Sequence, residues 1–99
     1  MPTKFQNKVY ELCKKVPKGK VTTYKSIAEA MGNKAYRAVG SALNKNPHAP
    51  QIPCHRVINT NRNPGGFASG VKNKVKLLKK EGVEIKNNKI LKEFIFKFK

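Results

Sequence analysis

The chain has no aspartate and no tryptophan, and its five glutamates face 22 lysines and arginines in 99 residues. The lack of aspartate excludes calcium-binding loops and most active sites that are built from paired carboxylates. A formal net charge of +17 makes so small a body repel itself unless a polyanion binds to it. Nucleic acid is the first candidate for that polyanion, and an anionic membrane surface is the second.

Cysteine and histidine are also scarce. Cys13, Cys54, His48 and His55 do not have the spacing of a zinc finger, so no metal and no cofactor are expected. No apolar run is long enough for a signal peptide or a membrane span. We therefore expect a reduced, intracellular protein, with residues 1–99 forming one domain. We also expect a monomer that binds nucleic acid and no membrane.

Apolar residues recur at helical spacing in four stretches, which predict helices at residues 4–15, 24–31, about 34–43 and about 71–80. Short β-prone segments at Val21–Tyr24 and Val57–Ile58, and a hairpin around Asn87–Asn88, add a small β component. The tail from Phe94 either adds a strand or stays loose. The pattern favours a mainly α fold with small β, of the winged-helix or helix-turn-helix type. The helix-turn-helix pattern alone is weak evidence, because many small helical domains contain such a corner.

The third predicted helix combines small residues with one large cation. Its small residues are Ala35, Ala38, Gly40, Ser41 and Ala42. A glycine inside a helix costs about 1 kcal/mol relative to alanine, so a close approach to another backbone or to a groove floor would explain its presence. Arg37 is one of three arginines in the chain, and its planar guanidinium can stack and fork where a lysine cannot.

The segment Pro53–Val57 holds the most reactive combination in the chain. A proline precedes Cys54, and His55 and Arg56 follow it within an apolar surround. A neighbouring histidine or cation is the usual means of lowering the pKa of a thiol, which favours the nucleophilic thiolate. The alternative is a buried structural cysteine, as expected for Cys13 on the apolar face of the first helix.

With these residues in view, the chain resembles the O6-alkylguanine-DNA alkyltransferases, also called methylated-DNA–protein-cysteine methyltransferases. The resemblance covers residues 5–84 and centres on Pro53-Cys54-His55-Arg56-Val57. Its other motifs are Val21-Thr22-Thr23-Tyr24, Arg37-Ala38-Val39-Gly40, Asn46-Pro47, Gly66-Phe67, Leu77-Leu78 and Glu81-Gly82. Composition indicates only a basic domain of the helix-turn-helix type, whereas the reaction comes from the resemblance.

The resemblance implies a single-turnover transfer of an alkyl group from O6-alkylguanine in double-stranded DNA to Cys54. In this family's pattern His55 activates the thiol through a bridging water, and Glu81 orients the imidazole. Asn46 holds the turn between the recognition helix and the active-site segment. Tyr24 presses on the target phosphate and assists protonation of the leaving guanine.

The resemblance also implies how the DNA is held. Arg37 fills the base stack from which the damaged nucleotide is extruded, and the third predicted helix lies in the minor groove. The small helix residues expected at that groove are Ala38, Gly40, Ser41 and Ala42. The residues expected around the flipped guanine are Cys54, Val57, Phe67, Ala68 and Lys74. Arg56 is expected to tie the segment to neighbouring backbone.

Two departures from the family pattern bear on function. Larger members often have Tyr-Ser where this chain has Phe67-Ala68, so hydroxyls near the guanine oxygen are missing. Most members also carry an amino-terminal α/β domain, which is expected to be absent here. The alternative function is that of the alkyltransferase-like relatives, which bind lesions or regulate without transfer and have Trp at the acceptor position. The presence of Cys54 favours transfer.

Overall fold

The computed structural model describes residues 3–45, 52–65 and 71–98. Its helices are α1 (Lys4–Lys14), α2 (Tyr24–Ala30), α3 (Tyr36–Asn44) and α4 (Val71–Lys80), with 3-10 turns at Cys54–Arg56 and Lys92–Phe94. Its strands are β1 (Thr22–Thr23), β2 (Val57–Ile58), β3 (Ile85–Lys86) and β4 (Lys89–Ile90). The prediction of a mainly α fold with small β is confirmed. Across these ranges, every helix is too short or too polar to cross a bilayer.

Side-chain caps set the starts of the first two helices. Thr3 accepts a hydrogen bond from the Gln6 amide at 3.1 Å, and the Gln6 side chain accepts one from the Thr3 amide at 2.9 Å. This capping box satisfies two of the amides that the first turn of α1 leaves open. Thr23 caps α2 by accepting from the Ser26 amide at 3.0 Å, in keeping with the preference for threonine at such positions.

Helix α3 begins two residues later than its predicted start at Lys34. The Asn33 side-chain oxygen accepts a hydrogen bond from the Ala35 amide at 2.9 Å. The Tyr36 amide then donates to the Lys34 carbonyl at 3.0 Å. These two local turns compete with helical hydrogen bonds, so the chain enters the helix only at Tyr36.

The strand that follows the cysteine segment lies parallel to β1. Thr22 pairs with Val57, and Thr23 pairs with Ile58. Val21, directly before β1, pairs with Ile95 of the tail through one isolated parallel bridge. The predicted hairpin forms as β3 and β4, which pair antiparallel.

Two apolar clusters lie on either side of β2. Val57 belongs to the cluster formed with α1, α2 and α3, whereas Ile58 belongs to the cluster formed with α4 and the hairpin. Both side chains are fully buried, and each contributes about 1.5–3 kcal/mol to folding. Successive side chains of a strand point to opposite faces, so a shift of β2 by one residue would place each of its side chains in the other cluster. The position of the cysteine turn just before β2 is therefore fixed.

Gly19 lies where the turn after α1 meets the end of α4. It has a φ of +88° in the turn closed by the Lys20 amide and the Pro17 carbonyl, 3.1 Å apart. A Cβ on Gly19 would lie 3.2 Å from the backbone oxygen of Glu81, whereas a Cβ on Gly32, whose φ is +78°, would meet nothing within 4 Å.

Gly19→Ala should therefore destabilise the protein more than Gly32→Ala. Both changes impose the strain of alanine at positive φ, roughly 1–2 kcal/mol, but only the first also displaces the Glu81 backbone. Urea denaturation of the two variants measures the difference. Equal losses of unfolding free energy would show that the contact with Glu81 carries no cost.

Candidate active site

Cys54 follows a tight bend that its proline dictates. Pro53 has a φ of −80° and a ψ of 67°, and the Cys54 amide donates to the Ile52 carbonyl at 2.8 Å. These are the features of an inverse γ-turn, whose φ lies within the range that a proline ring allows. The 3-10 turn Cys54–Arg56 follows, closed by the Arg56 amide on the Pro53 carbonyl at 2.9 Å. This geometry leaves Cys54 half-buried with a free thiol.

His55 points into the protein and meets a carboxylate. Its side chain is 4% exposed, and its Nε2 lies 3.1 Å from Oε1 of Glu81. The two groups are close enough for a hydrogen bond but poorly aligned for one, and Nε2 has no other partner within the described ranges. The carboxylate therefore favours a proton on Nε2, which leaves the lone pair of the neutral ring on Nδ1.

Arg56 grips the same carboxylate with two donors. Its Nε donates to Glu81 Oε1 at 2.9 Å, and its second terminal nitrogen donates to Oε2 at 2.6 Å. The remaining terminal nitrogen donates to the Val16 carbonyl at 3.0 Å. The sequence predicts the tie to backbone, whereas the bidentate pair with Glu81 is a new finding. A planar guanidinium is needed for this fork, so a lysine would not replace it.

Glu81 is held by the way in which α4 ends. The Gly82 amide donates to the Lys79 carbonyl, and the Val83 amide donates to the Leu78 carbonyl, both at 3.0 Å. With Gly82 at a φ of +92°, these bonds form a Schellman motif. A carboxylate at a helix C-terminus is unfavourable for the macrodipole, and here Arg56 offsets that cost directly.

The pKa values of this cluster follow from burial and from the shared carboxylate. Burial alone raises the pKa of Glu81, but hydrogen bonding by Arg56 and the proximity of His55 outweigh it, so the net pKa is lowered. The pKa of His55 is lowered chiefly by burial, with Glu81 pulling upward and Arg56 and Lys74 pushing downward. The cluster therefore holds an ionised carboxylate beside a neutral imidazole at neutral pH.

Lys74 is a fully buried cation below the cysteine segment. Its Nζ donates to the Val57 carbonyl at 2.6 Å and lies 3.5 Å from the Tyr24 hydroxyl. Burial lowers its pKa to about 8, and the nearby charge of Cys54 opposes that shift. The structure therefore buries both the stem and the charge of this lysine.

The two cysteines differ as the sequence predicts. Cys13 is completely buried in α1, and burial raises the pKa of its thiol to about 12. A thiol with such a pKa carries almost no thiolate at neutral pH, which makes it inert. Cys54 alone combines partial exposure with a neighbouring imidazole.

The exposed side of α3 contains four of the residues expected at DNA, whereas Ala42, also expected there, is 2% exposed and packs in the apolar core. Arg37, Ala38 and Ser41 are exposed, while Gly40 is half-buried. A Cβ on Gly40 would lie 3.9 Å from ring carbons of Tyr24. Tyr24 itself opens α2, and its pKa is raised chiefly by burial.

The structure thus brings together Cys54, His55, Glu81, Lys74 and Tyr24 around one segment. The remaining predictions, for Asn46, Phe67 and Ala68, lie outside the described residues, as does His48. Within the described ranges, histidine, cysteine and glutamate form no group of three that could hold a metal.

Sequence reasoning assigned no role to Tyr36, which is exposed at the start of α3. The available signal was an aromatic residue directly before the only arginine of that helix.

Comparison with known proteins gives one family. The description "6-O-methylguanine DNA methyltransferase, DNA binding domain" matches residues 4–83. A methylated-DNA–protein-cysteine methyltransferase of Methanosarcina acetivorans is 51% identical over 81 residues, which are 81% of this chain and 52% of that protein. The chain therefore spans about half the length of the curated relatives it matches.

Solved structures agree with this match. The structure of Mycobacterium tuberculosis OGT in complex with DNA superposes with a TM-score of 0.79 at 38% identity, over 82% of this chain and 51% of that one. The structure of S. pombe Atl1 with damaged DNA containing O6-carboxymethylguanine superposes with a TM-score of 0.82 at 30% identity, over 99% and 100% of the two chains. This chain belongs to the 6-O-methylguanine DNA methyltransferase family.

Proposed function

We propose that this chain repairs DNA directly by moving an alkyl group from the O6 atom of guanine to Cys54. The observation that carries the proposal is the half-exposed thiol of Cys54 next to a buried His55 whose Nε2 lies 3.1 Å from Glu81. The names of the curated relatives and the DNA complexes of the solved ones support it.

In the proposed reaction, the thiolate of Cys54 attacks the alkyl carbon. The new C–S bond forms as the bond between that carbon and O6 breaks, and the electron pair leaves with the guanine. The thiol proton passes to Nδ1 of His55, directly or through water, while Glu81 stabilises the imidazolium that forms. A proton returns to the guanine with help from Tyr24. No step of the proposed reaction cleaves the new C–S bond at Cys54, so each protein molecule reacts once.

The other predicted residues complete the proposal. Lys74 fixes the Val57 carbonyl, and this fixes the backbone that meets the flipped guanine. Asn46 supports the approach to the active-site segment, and Phe67 and Ala68 border the base. Residues 1–99 act as one domain in this proposal.

Lesion binding without transfer is the second candidate. It is favoured by the match with S. pombe Atl1 over the full length of both chains, because that protein is bound to damaged DNA. The reaction of Cys54 separates the two candidates.

Incubation with an oligonucleotide containing O6-methylguanine should add one methyl group to the protein, and peptide mapping should place it on Cys54. Cys13→Ala should react like the unchanged protein, whereas Cys54→Ser should stay unmodified, because the Cys13 thiol is buried and protonated. An unmodified protein that still binds the oligonucleotide would favour lesion binding alone.

His55→Gln and Glu81→Gln should each slow transfer by about 10²–10⁴-fold in single-turnover experiments, because general-base assistance is worth about that much. The double variant should be little slower than either single variant, since the two side chains act as one unit.

The pH profile separates this role from a structural one. His55 must be neutral to accept a proton, so the rate should fall as the pH drops through its lowered pKa. Glu81 raises that pKa, so the fall should move to lower pH in Glu81→Gln. Additive losses with an unmoved profile would make Glu81 only an anchor for Arg56.

We further propose that α3 lies in the minor groove of double-stranded DNA containing O6-alkylguanine. There Ala38, Gly40 and Ser41 allow close approach, and Arg37 fills the space of the extruded nucleotide.

Arg37→Lys keeps the charge but loses the planar guanidinium. It should therefore bind undamaged duplex as before, while its preference for the lesion falls about tenfold or more, since an unfilled stack costs a few kcal/mol. Fluorescence anisotropy with the two duplexes measures both affinities, and an unchanged preference would contradict the role of Arg37.

A further inference from the structure

Tyr36 is the one large hydrophobic side chain in the described ranges that stands exposed, at 44%. The other described aromatic residues are buried or half-buried: Phe5, Tyr10, Tyr24, Phe94, Phe96 and Phe98. A single exposed ring is ordinary on a protein surface, so exposure alone carries no inference. The position of this ring does.

Tyr36 lines a surface depression between α3 and the segment after β2. The depression is bordered by Tyr24, Lys25, Tyr36, Arg37, Gly40, Asn59 and Thr60. Among the described residues that border it, the two charged ones are both cations, so the depression favours a ligand that carries negative charge. Tyr36 and Gly40 are four residues apart and lie on the same face of α3. Because Gly40 has no side chain, the space beside the tyrosine ring stays open towards Tyr24.

Local turns also fix the backbone position from which this ring projects. The turns at Asn33 and Ala35 fix the residue that opens α3, as described above, and Tyr36 is that residue. An exposed aromatic side chain beside cationic groups is an arrangement by which proteins bind unpaired nucleotides. The cations meet the phosphates and the ring stacks on a base, since every base has a π-face.

We propose that Tyr36 is a stacking platform for an unstacked nucleobase of bound DNA. The base enters the depression beside Gly40, its face rests on the tyrosine ring, and Lys25 lies near its backbone phosphates. Tyr36 thereby adds to the preference for DNA in which a base has left the helix. This inference rests on the proposed DNA binding by α3, but it does not require alkyl transfer.

The test uses two duplexes of one sequence. In one duplex 2-aminopurine is paired with thymine, and in the other it lies opposite an abasic site and is free to leave the stack. The unchanged protein should bind the second duplex more tightly and quench its fluorescence. Tyr36→Phe keeps the ring and should behave alike. Tyr36→Leu keeps an apolar side chain without a π-face, and its preference should fall about tenfold with loss of the quenching.

Lys25→Gln is the matched control in the same depression. It removes one phosphate contact, so it should weaken binding to both duplexes by the same factor and leave the preference intact. A Tyr36→Leu protein that keeps the preference and the quenching would overturn the platform.

The duplexes carry no alkyl group, so the result is independent of the proposed reaction. Methyl transfer by the unchanged protein alongside a negative platform test would remove only the role of Tyr36. A positive platform test without methyl transfer would remove only the proposed reaction.

Discussion

The rest of the site depends on the ion pair between the Glu81 carboxylate and the Arg56 guanidinium. Through Arg56 the carboxylate joins the end of α4 to the cysteine turn and, by way of the Val16 carbonyl, to the end of α1. The side chains of Arg56 and Glu81 are mostly buried, so both charges lose much of their hydration on folding. Such a pair adds little net stability, but removing one partner costs about 3–5 kcal/mol because the other is left buried and unpaired. The carboxylate thereby fixes one geometry for the turn, and His55 takes its orientation from the same anchor.

The arginines and the exposed lysines of this chain contribute its positive charge in different ways. Two of the three arginines make directed contacts: Arg56 donates to Glu81, and Arg62 lies 3.4 Å from the Ile90 carbonyl of the hairpin. The third, Arg37, is exposed on α3. On α4 the exposed lysines are Lys72, Lys76, Lys79 and Lys80. Such lysines supply a general attraction for phosphate that no single one of them determines. Lys74 is the exception, since its charge faces the interior.

Much of this arrangement could be predicted from the sequence, because it is local. The bounds of α4 and the cap at Thr23 follow from apolar spacing and from one residue type. The late start of α3 was missed because two turns within three residues compete with the helix. Long-range pairing was also beyond prediction: nothing in the sequence indicates that Thr22 lies beside Val57 or that Arg56 shares the carboxylate assigned to His55. The resemblance named Cys54, His55 and Glu81, but their distances come only from the fold.

The buried charge of Lys74 also links the stability of this protein to proton concentration. Its pKa is about 8 when folded and near 10.5 when unfolded, so between these values the unfolded chain binds more protons and stability rises with pH. Cys13, with a pKa raised from 9.0 to about 12, acts in the opposite sense, and its contribution is lost as the pH rises above 9. The raised pKa of Tyr24 adds a further loss above 10. On the acid side, the lowered pKa of His55 removes stability as the pH falls below 6.5. These directions predict that stability is gained through His55 as the pH leaves the acid range and through Lys74 above pH 8, and that Cys13 and Tyr24 oppose this gain at higher pH.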